Sequence, residues 1–588
     1  MILAVIALLM GMTGGMSVKA SVEQASYIVQ AADTDVAASL AQAHGGEITS
    51  RLDIIHAVVV NLTADEVAAL KAENSIIAIT PNGKVKSSGA DAVAVADKGE
   101  GEGTPSTDYP NVIGADLVWE EDITGEGVSV AVLDTGLANL PQLIKDTDNK
   151  NGRIIAWKDF IDNSKKPIDP NGHGSHVAGI IANSQKGADG EWNGVAPDVK
   201  LVGVRVLDQQ GAGTYESVIA GLDWVVKNQK KYNIRVVNLS LVAPVQSPYW
   251  ADPLDQAVTA AWASGLTVIV AAGNAGPEAM TITVPGNNPY VVTVGAFTDN
   301  YTPSDWSDDY IAPFSSAGPT LDGFTKPDVV APGGHIVSVT PAKSQLVTDY
   351  PANRLPGSYF KLAGTSQATA SVSGVAALVI SENPRLTNNQ VKMRLISTAL
   401  PWIDQTGDDV LYSMWQQGAG RINAPDAVLS DNKDAANEGM DINGDLAGTI
   451  HYEGYGYFDE ATGTFKLRAP YDTWSGKYGT WSGKYGTWSG KYGTWSGKYG
   501  TWSGKYGTWS GKYGTWSGKY GTWSGGYTTW AGKYGTWSGK YGTWSGKYGT
   551  WSGTQPWEEP TFAASFAAGE SPDASISSAT ISTYLLEP

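Results

Sequence analysis

The chain has 588 residues, no cysteine and a formal net charge of −19. A chain of this length exceeds one hydrophobic core, so several domains are expected, none of them supported by a disulfide. The acidity argues against a nucleic-acid partner, while the lack of disulfides does not argue for the cytosol, because a large secreted domain can fold without them.

The N-terminal residues 1–20 are typical of a secretory signal peptide. An apolar run over residues 2–12 leads to Ser17-Val18-Lys19-Ala20, which offers a small-residue cleavage site after Ala20. The run is too short to span a membrane. A buried N-terminal strand is the alternative interpretation, and the signal peptide predicts an extracellular protein.

Residues 26–86 predict a small α+β unit, within a domain and linker over 21–106. Thr63-Ala-Asp-Glu66 is a capping box that opens a helix. The polar, small-residue stretch 87–107 is typical of a linker and a processing site. The other predicted elements are a strand at Tyr27, a helix over Asp35–Ala43 and strands over Ile54–Leu62 and Ser75–Thr80.

The region 107–430 predicts an α/β domain with a mostly parallel sheet flanked by helices. Short, continuous, β-branched runs alternate with helical patterns, as buried parallel strands do. The predicted strands are Val128–Leu133, Leu201–Val206, Val236–Leu239, Leu266–Val270 and Val291–Val294, and the clearest helices are Tyr215–Lys227 and Pro253–Ser264.

Three glycine-flanked motifs supply the parts of a nucleophilic centre. Asp134 ends an apolar run, and His173 and Ser366 each open a helix of small residues. A serine becomes a nucleophile when a base takes its proton and a third group holds that base in the right tautomer. The order Asp, His, Ser is one of the known orders of this triad. Aspartic peptidases also use Asp-Thr-Gly but need a paired carboxylate, and the chain has one copy of the motif. His176 is expected to pack structurally.

These motifs resemble those of the subtilisin-like serine proteases, the subtilases, over roughly 107–430. The resemblance implies that Asp134 orients the general base His173 and that Ser366 is the nucleophile. Asn274, after Val270-Ala-Ala-Gly273, matches the oxyanion-hole residue, which acts together with the Ser366 backbone N–H. It also implies a serine endopeptidase that works through an acyl-enzyme without a catalytic cofactor. The α+β unit then resembles an inhibitory propeptide of a self-processed zymogen.

The substrate cleft can be predicted from the same resemblance. Gly211, Ala212 and Gly213 resemble the edge strand on which a peptide adds, and Ser240, Leu241 and Val242 the opposite wall. Val242 and Ala243 stand where the family usually has two glycines, which predicts a narrower specificity pocket or disturbed strand pairing. Gln367 stands where a Met usually follows the nucleophile.

Three segments are candidate calcium loops. Residues 145–166 are dense in Asp, Asn and Lys, residues 185–193 form a second candidate, and Asp441-Ile-Asn443-Gly-Asp445 is a weaker one. Calcium prefers several oxygen ligands, and subtilases commonly bind it. Ordinary solvated loops are the alternative, so structural calcium is an expectation without assigned ligands.

The C-terminal part divides into a spacer with a short β segment over 431–470, twelve heptads of Tyr-Gly-Thr-Trp-Ser-Gly-Lys type over 471–554 and a tail over 555–588. A coiled coil is excluded because most repeats have two glycines and none has an aliphatic seam. The repeated Trp, Tyr and Lys predict binding to carbohydrate or an anionic surface, with a flexible tail as the alternative.

Two functional hypotheses remain. The first is a secreted, monomeric endopeptidase that cleaves proteins or peptides and is held by its own propeptide. The second is a catalytically silent subtilase whose aromatic repeats act in adhesion or display.

Overall fold

The computed structural model describes residues 24–88, 105, 107–303, 305–402 and 411–468. The predicted signal peptide, most of the linker, the heptad repeats and the tail lie outside these residues. The chain forms two compact units. Within the described residues, one comprises residues 24–51 and His56–Pro81, and the other comprises Leu52–Ile55 and the described residues from Asn82 onward.

The small unit is a four-stranded sheet with two helices. The strand order is β2-β3-β1-β4, and β1 is antiparallel to both of its neighbours. The predicted capping box is present, because Thr63 Oγ1 accepts from the Glu66 N–H and the Glu66 carboxylate accepts from the Thr63 N–H. The third strand begins at Ala57, later than predicted, because Asp53–Ile55 form a 3₁₀ turn. The elements are β1 Ala25–Ala31, α1 Thr34–Ala43, β2 Glu47–Leu52, β3 Ala57–Leu62, α2 Ala64–Lys71 and β4 Ile76–Pro81.

The larger unit contains the elements predicted for the catalytic domain, with shifts of a few residues at most of their ends. Its strands are β5 Lys84–Ser87, β6 Ser129–Asp134, β7 Ile154–Asp159, β8 Lys200–Arg205, β9 Ala212–Thr214, β10 Ile234–Leu239, β11 Leu241–Val242, β12 Thr267–Ala271, β13 Val292–Thr298, β14 Tyr310–Ile311, β15 Val329–Pro332, β16 Ile336–Val339, β17 Tyr359–Leu362, β18 Gly456–Asp459 and β19 Thr464–Leu467. Its helices are α3 Tyr109–Val112, α4 Ala115–Trp119, α5 Pro141–Ile144, α6 His173–Ala182, α7 Tyr215–Tyr232, α8 Pro253–Ala263, α9 Gln345–Asp349, α10 Thr365–Glu382, α11 Asn388–Ser397, α12 Met414–Gln417, α13 Ala424–Leu429 and α14 Ile442–Leu446.

The central sheet is mostly parallel, as the sequence predicted. Within the described residues it has eight strands in the order β14-β13-β12-β10-β6-β8-β7, with β15 also paired to β13. Every described neighbour pair is parallel except β13 with β14. Every residue of β6, β12 and β13 is buried, which explains why these strands appear in the sequence as apolar runs without alternation.

Helix α10 runs through the core of this unit. Its residues from Thr365 to Ile380 are all buried, and it packs on α6 and on β10, β12 and β13. A helix that is buried all round needs apolar or small residues on every side, and Ala, Ser, Gly and Val fill this one. The helix that begins with His173 and the helix whose second residue is Ser366 are therefore neighbours.

Residues 431–468, predicted as a spacer, pack onto the larger unit. The buried Asp445 carboxylate accepts from the hydroxyls of Tyr249 (2.6 Å) and Tyr290 (2.8 Å). The segment ends in the β18–β19 hairpin, whose Phe465 and Leu467 are buried. The polar composition around Asp445 does not indicate this packing, because the anchor there is a carboxylate rather than an apolar side chain. Among the described residues, no helix has both the length and the apolar character that crossing a bilayer requires.

Candidate active site

The end of β6 and the start of α6 bring Asp134 and His173 together. His173 Nδ1 lies 2.7 Å from Asp134 Oδ1, and both side chains are almost fully buried. The Thr135 N–H donates to the same Asp134 oxygen at 2.7 Å. A Cβ at position 174 would lie 2.2 Å from the Gly136 carbonyl oxygen, so Gly174 is what lets the first turn of α6 approach the Asp134 loop.

Asp169 supports the Asp134–His173 pair through hydrogen bonds to Thr135 and to the start of α6, and the sequence analysis did not identify it. Its carboxylate accepts from Thr135 Oγ1 (2.8 Å), from the Gly172 N–H (2.8 Å) and from the Ser175 N–H (2.7 Å). Thr135 Oγ1 in turn accepts from the Gly174 N–H. An Asp three residues before the glycine that opens a helix was an available capping signal. Its bond to Thr135 depends on the folded structure.

Burial and two carboxylates act in opposite directions on the pKa of His173. Burial disfavours the charged ring, but the ion pair and hydrogen bond with Asp134, together with the charge of Asp169, raise the pKa of His173 above its ordinary value. Its Nε2 makes no hydrogen bond to any of the residues described. His176, one turn along, differs. Burial lowers its pKa to about 3, and its Nε2 donates to the Phe360 carbonyl at 3.0 Å, in keeping with the predicted packing role.

Ser366 lies in the first turn of α10. Its hydroxyl donates to the Ser240 carbonyl (3.1 Å) and shares a 2.7 Å hydrogen bond with Ser88 Oγ. The Ser240 hydroxyl donates back to the Ser366 carbonyl at 3.0 Å and so ties the backbone of Ser366 to the end of β10. The Ser366 hydroxyl is thus bonded to the chain's own Ser88 rather than to His173.

Asn274 follows β12 and is held in one orientation. Its Oδ1 accepts from the Thr365 N–H and from Thr365 Oγ1, both at 2.9 Å. That leaves its Nδ2 to donate to the Ser88 carbonyl oxygen. Gly364 is required here, because its φ is +155° and a Cβ would lie 2.8 Å from the same carbonyl oxygen. The Ser88 carbonyl therefore accepts a hydrogen bond from the Asn274 side-chain amide, which the sequence predicted as an oxyanion donor.

The strand that precedes Ser88 is inserted between two other strands. Strand β5 lies between β9 and β11 and is antiparallel to both. The Ser87 N–H donates to the Gly211 carbonyl (2.8 Å) and the Ser88 N–H to the Ser240 carbonyl (3.2 Å). The predicted substrate-binding residues all belong to the two walls of this cleft: Gly211, Ala212 and Gly213 on one side and Ser240, Leu241 and Val242 on the other.

The two departures from the family pattern have different outcomes. Val242 pairs with Lys86, and Ala243 exchanges hydrogen bonds with Val284, so the predicted disturbance of strand pairing does not occur. Gln367 is fully buried, and its side-chain amide has no hydrogen-bond partner in the described part of the chain. A polar amide thus lies directly after Ser366.

In the candidate calcium loops, several carboxylates bond to the protein itself. Asp159 accepts from the backbone N–H groups of Ile161, Asp162 and Ser164 and pairs with Arg205. Asp189 accepts from the Glu191 N–H, and Asp445 is engaged by two tyrosines. These contacts assign no calcium ligands.

Comparison with known proteins agrees with this geometry. The profile of the subtilase family matches residues 125–441. Serine protease AprX of Bacillus subtilis (strain 168) is 40% identical over 313 residues, which cover 52% of this chain and 67% of that protein. Subtilisin DY of Bacillus licheniformis is 35% identical over 319 residues, covering 54% and 96%. The thermostable alkaline protease of Halalkalibacterium halodurans is 31% identical over 408 residues, covering 68% and 93%. Subtilases need no cofactor for catalysis. The chain therefore belongs to the subtilase family and is a serine endopeptidase.

Proposed function

We propose that the protein is a secreted endopeptidase that works through Asp134, His173 and Ser366 and releases its own N-terminal segment. The observation that carries the proposal is the Ser88 carbonyl on the Asn274 amide, with the Ser88 and Ser366 hydroxyls 2.7 Å apart. The acyl side of a substrate would occupy the same position, since a peptide adds to an exposed strand edge through its main chain.

The reaction follows from these groups. Ser366 Oγ attacks the carbonyl carbon while His173 Nε2 takes the hydroxyl proton, and Asp134 stabilises the resulting imidazolium. The oxyanion accepts from Asn274 Nδ2 and from the Ser366 N–H, a type of contact worth about 3–4 kcal/mol in the transition state. The C–N bond then breaks, and His173 returns the proton to the leaving amine. A water molecule, activated by His173, hydrolyses the acyl-enzyme and frees Ser366.

The bound strand also supports an assignment of the bond that self-processing would cut. Lys84–Ser87 pair with both walls of the cleft, and Ser88 presents its carbonyl to Asn274. The scissile bond is therefore the one between Ser88 and Gly89. The described segment before it would act as a propeptide, and its C-terminal end would block the cleft after cleavage.

The test is the fate of the full-length chain made with and without Ser366. Wild-type protein should yield a catalytic chain whose N-terminus is Gly89 by mass spectrometry, and an organophosphorus reagent should label Ser366. Ser366→Ala should be neither processed nor labelled and should hydrolyse no peptide. Ser371→Ala is the matched control, because among the described residues that buried hydroxyl bonds only to the Gln367 carbonyl of the same helix.

Normal processing of purified Ser366→Ala protein, free of other proteases, would contradict self-processing. Cleavage that depends on Ser366 but occurs at another bond would leave the triad standing and overturn only the Ser88–Gly89 assignment.

The proposal extends to regions outside the described residues, where residues 1–20 would direct secretion. Within the catalytic domain, loops would hold structural calcium, and the protein would act as a monomer. The repeats over 471–554 carry twelve Trp, twelve Tyr and ten Lys, so they would bind carbohydrate or an anionic surface. Deleting them should leave the hydrolysis of short peptides unchanged and reduce retention on insoluble polysaccharide or anionic resin. Equal retention of both forms would favour the flexible tail.

A further inference from the structure

Three loops of the larger unit bring together a histidine and two carboxylates outside the catalytic centre. His335 lies between β15 and β16, Asp299 directly follows β13, and Asp108 directly precedes α3. His335 Nε2 lies 2.9 Å from Asp299 Oδ1 and 3.5 Å from Asp108 Oδ2. The three possible ligand atoms all lie within 4.8 Å of one another.

The inner atoms of this cluster are buried without hydrogen-bond partners. Neither His335 Nε2 nor Asp299 Oδ2 makes a hydrogen bond within the part of the chain that the structure describes, although the two residues are only 7% and 3% exposed. A buried polar atom that lacks a partner is costly and calls for an explanation. His335 Nε2 and Asp299 Oδ1 are within ion-pair distance at 2.9 Å, but their geometry is not that of a hydrogen bond.

The other ring nitrogen of His335 is already engaged. Nδ1 lies 3.2 Å from Thr298 Oγ1, which also accepts from the Asn300 N–H at 3.3 Å. If Nδ1 carries the proton and donates it to that hydroxyl, the Nε2 lone pair points toward the two carboxylates. Metal-ligating histidines are commonly oriented by a hydrogen bond of this kind from the second nitrogen. Tyr301 stacks on the imidazole at 3.7 Å between ring centroids and covers one face of it.

We propose that Asp108, Asp299 and His335 bind one zinc ion, with water as the fourth ligand. One imidazole nitrogen with two carboxylate oxygens is a donor set suited to zinc, whereas calcium takes oxygen ligands. Bonds of about 2.0–2.1 Å in tetrahedral geometry separate neighbouring ligand atoms by about 3.3 Å. The observed separations of 2.9 and 3.5 Å bracket that value.

The site would have a structural role. It joins the beginning of the catalytic domain, at Asp108, to the end of β13 and to the loop before β16. The Asp108 side chain is 30% exposed, so an ion can enter from its side. Without zinc a proton takes the place of the metal. Burial opposes that proton, but Asp108 and Asp299 raise the pKa of His335 to about 9, and zinc has to displace it.

The test uses the full-length chain in the Ser366→Ala background, so that it does not digest itself. After metal removal, the protein is titrated with Zn²⁺, and in parallel with Co²⁺ as a spectroscopic probe. We expect one zinc equivalent that is lost in His335→Ala, and the visible absorption of tetrahedral cobalt. Asp108→Asn replaces the exposed ligand, so it should fold normally and bind zinc at least tenfold more weakly. His451→Gln is the matched control, because that histidine contacts one carboxylate, Asp445.

A large excess of Ca²⁺ that leaves the cobalt spectrum unchanged would support the assignment. Zinc binding that is equal in the parent, His335→Ala and Asp108→Asn proteins would overturn it. So would displacement of cobalt by calcium, since that result indicates a site made of oxygen ligands only.

Discussion

The two buried histidine–aspartate pairs of the larger unit use the same side chains in opposite orientations. In the first pair, Asp134 bonds to His173 Nδ1, and Nε2 makes no hydrogen bond to a described residue. In the second, a neutral hydroxyl bonds to His335 Nδ1, and the carboxylates of Asp299 and Asp108 face Nε2. The position of the carboxylate decides the chemistry. A carboxylate bonded to Nδ1 strengthens Nε2 as a base, whereas carboxylates that face Nε2 provide a site for a cation.

The largest test of this comparison is Asp134→Asn. The amide can hold the wrong tautomer of His173 and cannot stabilise the imidazolium, so kcat should fall about 10⁴-fold, as expected for loss of the triad carboxylate. Steady-state kinetics on a short peptide, with circular dichroism to verify folding, would measure it. A loss of less than tenfold would mean that Asp134 does not orient the base.

Asn274→Ala leaves both histidine pairs unchanged and removes the donor that holds the Ser88 carbonyl. Turnover should fall by about 10²- to 10³-fold, because one oxyanion donor is worth that much. The KM should change little, since the contact strengthens in the transition state. Asn274→Asp, nearly equal in size but without the amide donor, should lose at least as much, and a fully active Asp variant would refute the assignment.

Asp169→Asn tests whether Asp169 affects the pKa of His173 as well as the geometry of the Asp134–His173 pair. The raised pKa of His173 means that kcat/KM is lost as pH falls through a value above 6.5, because only the neutral ring is a base. Removing the Asp169 charge should move that acid limb to lower pH and reduce kcat about tenfold. A lower kcat with an unmoved acid limb would indicate that Asp169 acts on geometry alone.

The smallest expected effect concerns the second pair and is one of stability. The folded pKa of His335, about 9, exceeds its unfolded value. Its contribution is therefore complete below about pH 6.5 and disappears as pH rises through about 9. With chelator present, urea unfolding of the Ser366→Ala protein should lose about 1–3 kcal/mol over that range, and His335→Gln should lose less. Identical pH dependence of the two proteins would contradict this ion pair.

Much of the site could be predicted because its signals are local. Asp134, His173, Asn274 and Ser366 each lie within a short motif that ends a strand or opens a helix, and the buried parallel strands are continuous apolar runs. Such patterns are fixed by backbone geometry within a few residues.

The remaining features depend on distant parts of the chain. Asp108, Asp299 and His335 come from three separate loops, and no spacing rule connects them. No strand was predicted over Lys84–Ser87, because their partners are backbone groups of β9 and β11 and the pairing does not depend on their own side chains. Asp445 is anchored by two tyrosine hydroxyls that a polar sequence does not indicate.

The strand inserted between β9 and β11 has a kinetic consequence. While the chain is intact, that strand is tethered, and its effective concentration in the cleft is fixed by the linker whatever the protein concentration. If the bond after Ser88 is cut, as proposed above, the same strand would become part of a separate molecule that can dissociate, and occupancy of the cleft would then depend on dilution. A freshly processed enzyme would remain inhibited while it is concentrated and would become active when it is diluted into a larger volume.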